Sequence, residues 1–213
     1  MGGFLTATGL ALISGIEHGF GMRDSSVPAD LAVLKQIHSD VVLTATHSGP
    51  CGAGDALITN LPGLGVSIRT ADCYPVMLVD QRNRAVAAVH AGWRGTAARI
   101  VQKTLANMQK MYGTEPGDVR AAIGPGIGVC CYEVGPEVAR QFGHAVEVQT
   151  HLDLVFENRK QLEDAGVPAG KIEALGMCTF CDAKRFFSYR REREQAGRLT
   201  SFIRISNPEL KPR

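Results

Sequence analysis

Two apolar runs, "PVMLVD" at residues 75–80 and "RAVAAVH" at 84–90, are separated only by the polar "QRN". Continuous aliphatic runs of this length predict two buried strands, and so short a connection predicts an antiparallel hairpin. "VVLTAT" at 41–46 and "LGVSIR" at 64–69 read as strands on the same grounds. Beyond Gly95 the period changes. Ile100, Val101, Leu105, Met108 and Met111 recur at three- and four-residue steps, which predicts an amphipathic helix capped by Thr96 and ending near Gly113. "VRAAIGPGIG" predicts a strand and a turn, and "GPEVARQFG" a short helix with proline in its first turn and glycine at its end. "LDLVFENRKQLEDAG" predicts a longer helix, "IEALG" a strand, and "RFFSYRR" and "TSFIRI" are the last structured signals. Strands and helices mix without a repeat or a linker, so residues 1–213 are expected to form a single α+β domain of at least two layers.

Composition bounds the partners. The chain is 45% hydrophobic and 21% charged over 213 residues, enough to bury a core without disulfide staples. Its net charge is +2, with the signs interleaved except in "YRRERE", so no basic stripe is long enough to track a nucleic-acid backbone. A small anionic or neutral substrate is the expectation. The opening "MGGFLTATGLALISG" lacks a charged leader and a cleavage site and is too short to span a bilayer, so a cytoplasmic protein with no membrane partner is expected. The six cysteines are then expected to be reduced.

His38 in "LKQIHSD", Cys73 in "TADCYPV" and His90 in "AAVHAGWRG" interrupt or border these apolar runs. Their separation excludes a zinc finger, but two imidazoles and a thiolate from separate elements suit an open zinc site; magnesium or calcium would require more carboxylates. The competing reading is a small buried thiol and two hydrogen-bonded core histidines, and spacing alone leaves both standing. "HAGWRGTAAR" places a glycine-flanked turn before a helix, with Arg94 beside it, which suits an anion; alternatively the glycines only permit a tight turn and Arg94 pairs with a surface carboxylate. Cys178 and Cys181 form a lone CxxC, read as two buried thiols in a turn. Cys130 and Cys131 are adjacent, and in a strand they would face opposite ways, which makes joint ligation awkward.

"LKQIHSD", "GDALIT", "TADCYPVMLVD", "AVHAGWRGTA", "AAIGPGIGVCCYEVG" and "CTFCDAKRFFSYRRE" together resemble the YfiH/LACC1 family, whose members have been called laccase-domain or polyphenol oxidase proteins, peptidoglycan editing factor and purine nucleoside phosphorylase. The resemblance implies an α/β/β/α layered sandwich with mixed sheets and a zinc site made by His38, Cys73 and His90. It also implies phosphorolysis of adenosine, inosine and methylthioadenosine and deamination of adenosine, with a purine nucleoside and phosphate as partners. Asp72 is the candidate carboxylate for moving protons, and Arg23 or Arg94 for holding phosphate. Against the family pattern the N-terminal segment is shortened: "TRxGGVS" and "SLNLG" stretches are missing before the "KQ-H" motif, although Arg23 aligns with the start of the first. Two other activities compete: a cysteine hydrolase or amidase acting on peptidoglycan precursors, with His90 activating Cys73, and a copper polyphenol oxidase. The latter, and copper as the cofactor, is the weaker, because six histidines with no His-x-His pair are few for a copper cluster. Oligomeric state is not encoded in these motifs.

Overall fold

The expected hairpin lies at the centre of the molecule. In chain order the elements of the computed structural model are α1 (Thr8–Ala11), β1 (Ile16–Gly19), β2 (Leu31–Lys35), β3 (Val42–Thr44), β4 (Gly49–Ala53), β5 (Ala56–Thr59), β6 (Gly65–Thr70), β7 (Tyr74–Asp80) and β8 (Ala85–Ala91). There follow α2 (Trp93–Ala97), α3 (Ile100–Tyr112), β9 (Val119–Ile123), β10 (Glu133–Val134), α4 (Pro136–Ala139), β11 (Thr150–His151), α5 (Leu154–Asp164), β12 (Ile172–Ala174), α6 (Tyr189–Glu192) and β13 (Leu199–Ile205). The structure describes residues 3–207; residues 1–2 and 208–213 of the expected unit lie outside them.

β7 and β8 pair antiparallel from Tyr74–Ala91 to Asp80–Ala85, in the middle of a six-stranded mixed sheet ordered β12-β9-β7-β8-β5-β3. A second mixed sheet, β1-β13-β6-β2-β4, packs on it, and β10 and β11 form a small ribbon. The unbroken apolar run of β7 follows from this layering, since both faces of the strand are covered. Met77 and Val79 meet Val66, Ile68, Ile203 and Ile205 of the second sheet. Val76 and Leu78 instead share a core with Ile100, Val101, Leu105 and Met108 of α3 and Leu154 and Leu162 of α5. The fold is therefore a single-domain α+β layered sandwich with mixed sheets, as the sequence implied. Among the described residues no helix is long and apolar enough to cross a membrane.

Five local expectations are corrected. The helix after Gly95 is two helices: α2 already starts at Trp93, and Arg99 takes a left-handed conformation (φ 63°) before α3 begins. Thr96 is thus not a cap but a buried residue that accepts a hydrogen bond from the Asn158 amide at 3.1 Å. Met111, expected on the apolar face, is exposed. Cys130 and Cys131 fall in a turn rather than a strand, so the alternation that would have pointed them apart does not apply, and Cys181 is exposed rather than buried.

Candidate metal centre

A loop and a turn meet the end of β8. His38 lies in the loop after β2 with a left-handed backbone (φ 58°), Cys73 in the turn from β6 to β7, and His90 at the penultimate position of β8. Their ligand atoms all lie within 4.8 Å of one another, and the two imidazole rings stand 4.9 Å apart at 73°. Gly92 makes the approach possible: a Cβ there would stand 2.8 Å from Cys73 Sγ.

The anchor beneath the trio is Asp55, a residue that the motif search did not single out. Its carboxylate is fully buried and lies 2.8 Å from His90 Nδ1. It also accepts the backbone N–H groups of Ile37, His38 and Ser39 and the Ser39 hydroxyl. Burial alone would push this carboxyl up, but the bonds from His90 and Ser39 outweigh it and hold it down at about 2. An ionised Asp55 fixes the Nδ1–H tautomer of His90 and leaves Nε2 to ligate, the usual company of a metal-binding histidine. One carboxylate thereby sets both the loop that carries His38 and the ring of His90. The visible signal was an acidic residue at the head of the apolar "ALIT", which can be buried only with partners.

Charge in the trio is matched to a cation. Burial opposes ionisation of Cys73, yet hydrogen bonds from His38 and His90 bring the thiol down from 9.0 to about 6. Burial likewise disfavours a charged His90, and its bonds to Asp55 and Cys73 overcome this and raise it to about 9. The trio therefore places a thiolate beside positive charge, an arrangement that a metal ion held by His38, Cys73 and His90 would take over. One soft thiolate, two imidazoles and an orienting carboxylate fit a borderline-soft divalent ion.

The trio borders a cavity of about 760 Å³. Asp72 and Arg94 line it, as the sequence suggested, together with Tyr132, Trp93 and Tyr189. Asp72 adopts φ 85°, is buried, and accepts hydrogen bonds from the Thr179 hydroxyl at 2.7 Å and the Arg190 N–H at 2.6 Å. Arg94 stacks over the Trp93 ring at 4.3 Å. Arg23 is not brought to this wall. It pairs with Glu192, donates to the Phe186 carbonyl and stacks on Phe187 at 4.2 Å. Arg191 grips the same carboxylate and carbonyl, so the two arginines together hold the segment that carries Tyr189 and Arg190. Lys35, Arg69, Arg190, Arg193 and Arg198 add positive charge to the cavity wall. Two of these, Arg190 and Arg193, come from the basic run near the C-terminus, whose solvated appearance in the sequence hid the fact that it folds over the cavity.

Residues 21–206 match the family model described as multi-copper polyphenol oxidoreductase laccase. The chain belongs to this family. A curated relative from Bacteroides thetaiotaomicron, named purine nucleoside phosphorylase, is 38% identical over 85% of this chain and 75% of its own length. A protein named adenosine deaminase RL5, from an unknown prokaryotic organism, is 39% identical over 70% of this chain and 61% of its own. The crystal structure of YlmD from Geobacillus stearothermophilus superposes with a TM-score of 0.88 at 27% identity, covering 97% of each chain. The donors here do not assemble the many-histidine set of a multinuclear copper cluster. Among the described residues only His38 and His90 belong to a ligand group, whereas His18 accepts the Ala7 N–H and His144 faces Glu157.

Proposed function

We propose that the chain is a zinc-dependent purine nucleoside phosphorylase that also acts on methylthioadenosine and deaminates adenosine, working in the cytoplasm. The observation that carries this reading is the three-ligand cluster on the wall of a cation-lined cavity: three donors leave a coordination position for a reactant, and the cations suit an anionic co-substrate. The names of the relatives supply the substrate class. His38, Cys73 and His90 would hold the zinc, which when bound supplies Lewis acidity and lowers the pKa of water.

In phosphorolysis Arg94, with Arg69 and Arg190, draws phosphate into the cavity, where a phosphate oxygen attacks C1′ of the nucleoside. The glycosidic C–N bond breaks and the base departs with a proton, leaving ribose 1-phosphate. In deamination water adds at C6 of adenosine and ammonia leaves, giving inosine. Asp72 moves the proton in both reactions; its carboxylate is fixed by Thr179 and Arg190 yet borders the cavity. Arg23 acts at one remove by holding Glu192 and the segment above the cavity.

Incubating the purified protein with adenosine, with and without phosphate, tests the reading by chromatography. Adenine and ribose 1-phosphate should accumulate only with phosphate, and inosine should form without it. Neither product from zinc-loaded protein would sink the proposal. One observation favours a cysteine hydrolase instead, namely the thiol of Cys73 brought down to about 6 beside two imidazoles. Rapid alkylation of Cys73 under saturating zinc would select that second reading, because a coordinated thiolate is protected.

A further inference from the structure

Four cysteines remain outside the trio. Cys130 and Cys131 lie in the turn that follows β9, and Cys178 and Cys181 in the turn that follows β12. The two strands are parallel neighbours, so their exits lie side by side. The turns are then laced together: Gly126 bridges Cys178, and the Thr179 N–H donates to the Gly126 carbonyl at 2.9 Å. This brings all four sulfurs within 4.8 Å of one another, with Cys181 Sγ 3.3 Å from Cys131 Sγ and 3.7 Å from Cys130 Sγ. The Gly128 N–H donates to Cys178 Sγ at 3.2 Å. A Cβ on Gly128 would crowd both Cys130 and Cys178 at 3.2 Å, so the glycine leaves the space beside the sulfurs clear.

Sulfurs at the corners of a tetrahedron about 2.3 Å from a zinc ion are about 3.8 Å apart, close to the spacing found here. Disulfides would join the sulfurs in pairs at about 2.05 Å. Here Cys181 is shared between Cys130 and Cys131, an arrangement that no pairing of four explains. With neither carboxylate nor imidazole in the group, its chemistry selects a thiophilic ion over magnesium or calcium. We propose that Cys130, Cys131, Cys178 and Cys181 form a second metal site, a closed tetrathiolate centre that takes zinc and clips the two turns together. The clip acts on the cavity without touching it: Ile127 and Tyr132 of the first turn line the cavity, and Thr179 of the second bonds Asp72. This site does not depend on the nucleoside reading.

Elemental analysis of protein purified under reducing conditions, together with its His38→Ala and Cys178→Ser/Cys181→Ser variants, tests the site. The wild type should carry about two zinc ions and each variant about one. Cobalt-substituted His38→Ala protein should show intense thiolate-to-cobalt absorption. Because His38→Ala keeps all four cysteines, the outcome does not depend on the cysteine variant folding. A His38→Ala protein free of zinc, one in which iron takes the metal's place, or one whose cysteines prove to be disulfide-bonded by mass would overturn the proposal. One zinc in the wild type that persists in His38→Ala would instead uphold the quartet and overturn the trio.

Discussion

The trio and the cysteine quartet draw on the same kind of soft donor and both hang on turns beside the central sheet, yet they are built for different ends. The trio has three donors, a buried carboxylate behind one imidazole, and a cation-lined cavity in front. The quartet has four sulfurs, no carboxylate within the group, and no part in lining that cavity. Donor number decides whether a coordination position stays open, and the surrounding charge decides what can reach it. Chemistry thus belongs to the site whose shell is incomplete, while the complete one serves the shape of the turns that carry Ile127, Tyr132 and Thr179.

The largest effect should come from opening the trio. His38→Ala is expected to lower kcat/KM for phosphorolysis on the order of a thousandfold, ~4 kcal/mol of barrier, with the circular dichroism unchanged. Near-wild-type turnover would remove the distinction between the two clusters. Asp55→Asn is the next test: it keeps the shape but loses the charge that orients His90, and metal affinity should fall by about 10- to 100-fold in a chelator competition. Unchanged affinity would mean that the carboxylate serves only the loop. The smallest effect is a difference in reactivity across pH in metal-free protein. Cys73, brought to about 6, is a thiolate above that pH and a thiol below it, so its alkylation should climb as pH rises through about 6. Cys131 is pushed above the usual thiol range by burial and by neighbouring sulfurs, and should react only in alkaline solution. Similar pH profiles for the two, read by peptide mass spectrometry, would erase the electrostatic half of the comparison.

What the sequence revealed tracks how local the cause is. The β7–β8 hairpin was legible because the apolar run on each side of "QRN" is complete within itself. β4, "GPCGA", was not, since its glycines and proline carry no strand preference and it is ordered by parallel pairing with β2. The break at Arg99 was hidden because the apolar spacing of α3 continues smoothly from α2, and only tertiary bonds such as Gln161 to the Thr96 carbonyl pin α2 separately. His38, Cys73 and His90 were visible as polar interruptions of apolar stretches. The Asp55 anchor and the quartet were not: one depends on a bond across 35 residues, and the other on sulfurs 50 and 51 residues apart.

Asp72 sits at a left-handed backbone position, and this governs how its role can be probed. At φ 85° an alanine would carry the strain of a conformation that costs non-glycine residues on the order of 1–3 kcal/mol, and its effect on turnover would mix a displaced Cys73 with a lost carboxylate. Asparagine tolerates the left-handed region nearly as well as aspartate and can serve both partners, its oxygen accepting the Arg190 N–H and its amide donating to the Thr179 hydroxyl oxygen. Asp72→Asn is therefore the control that separates charge from scaffold. If it abolishes deamination while zinc content stays intact, the negative charge itself is what the reaction uses.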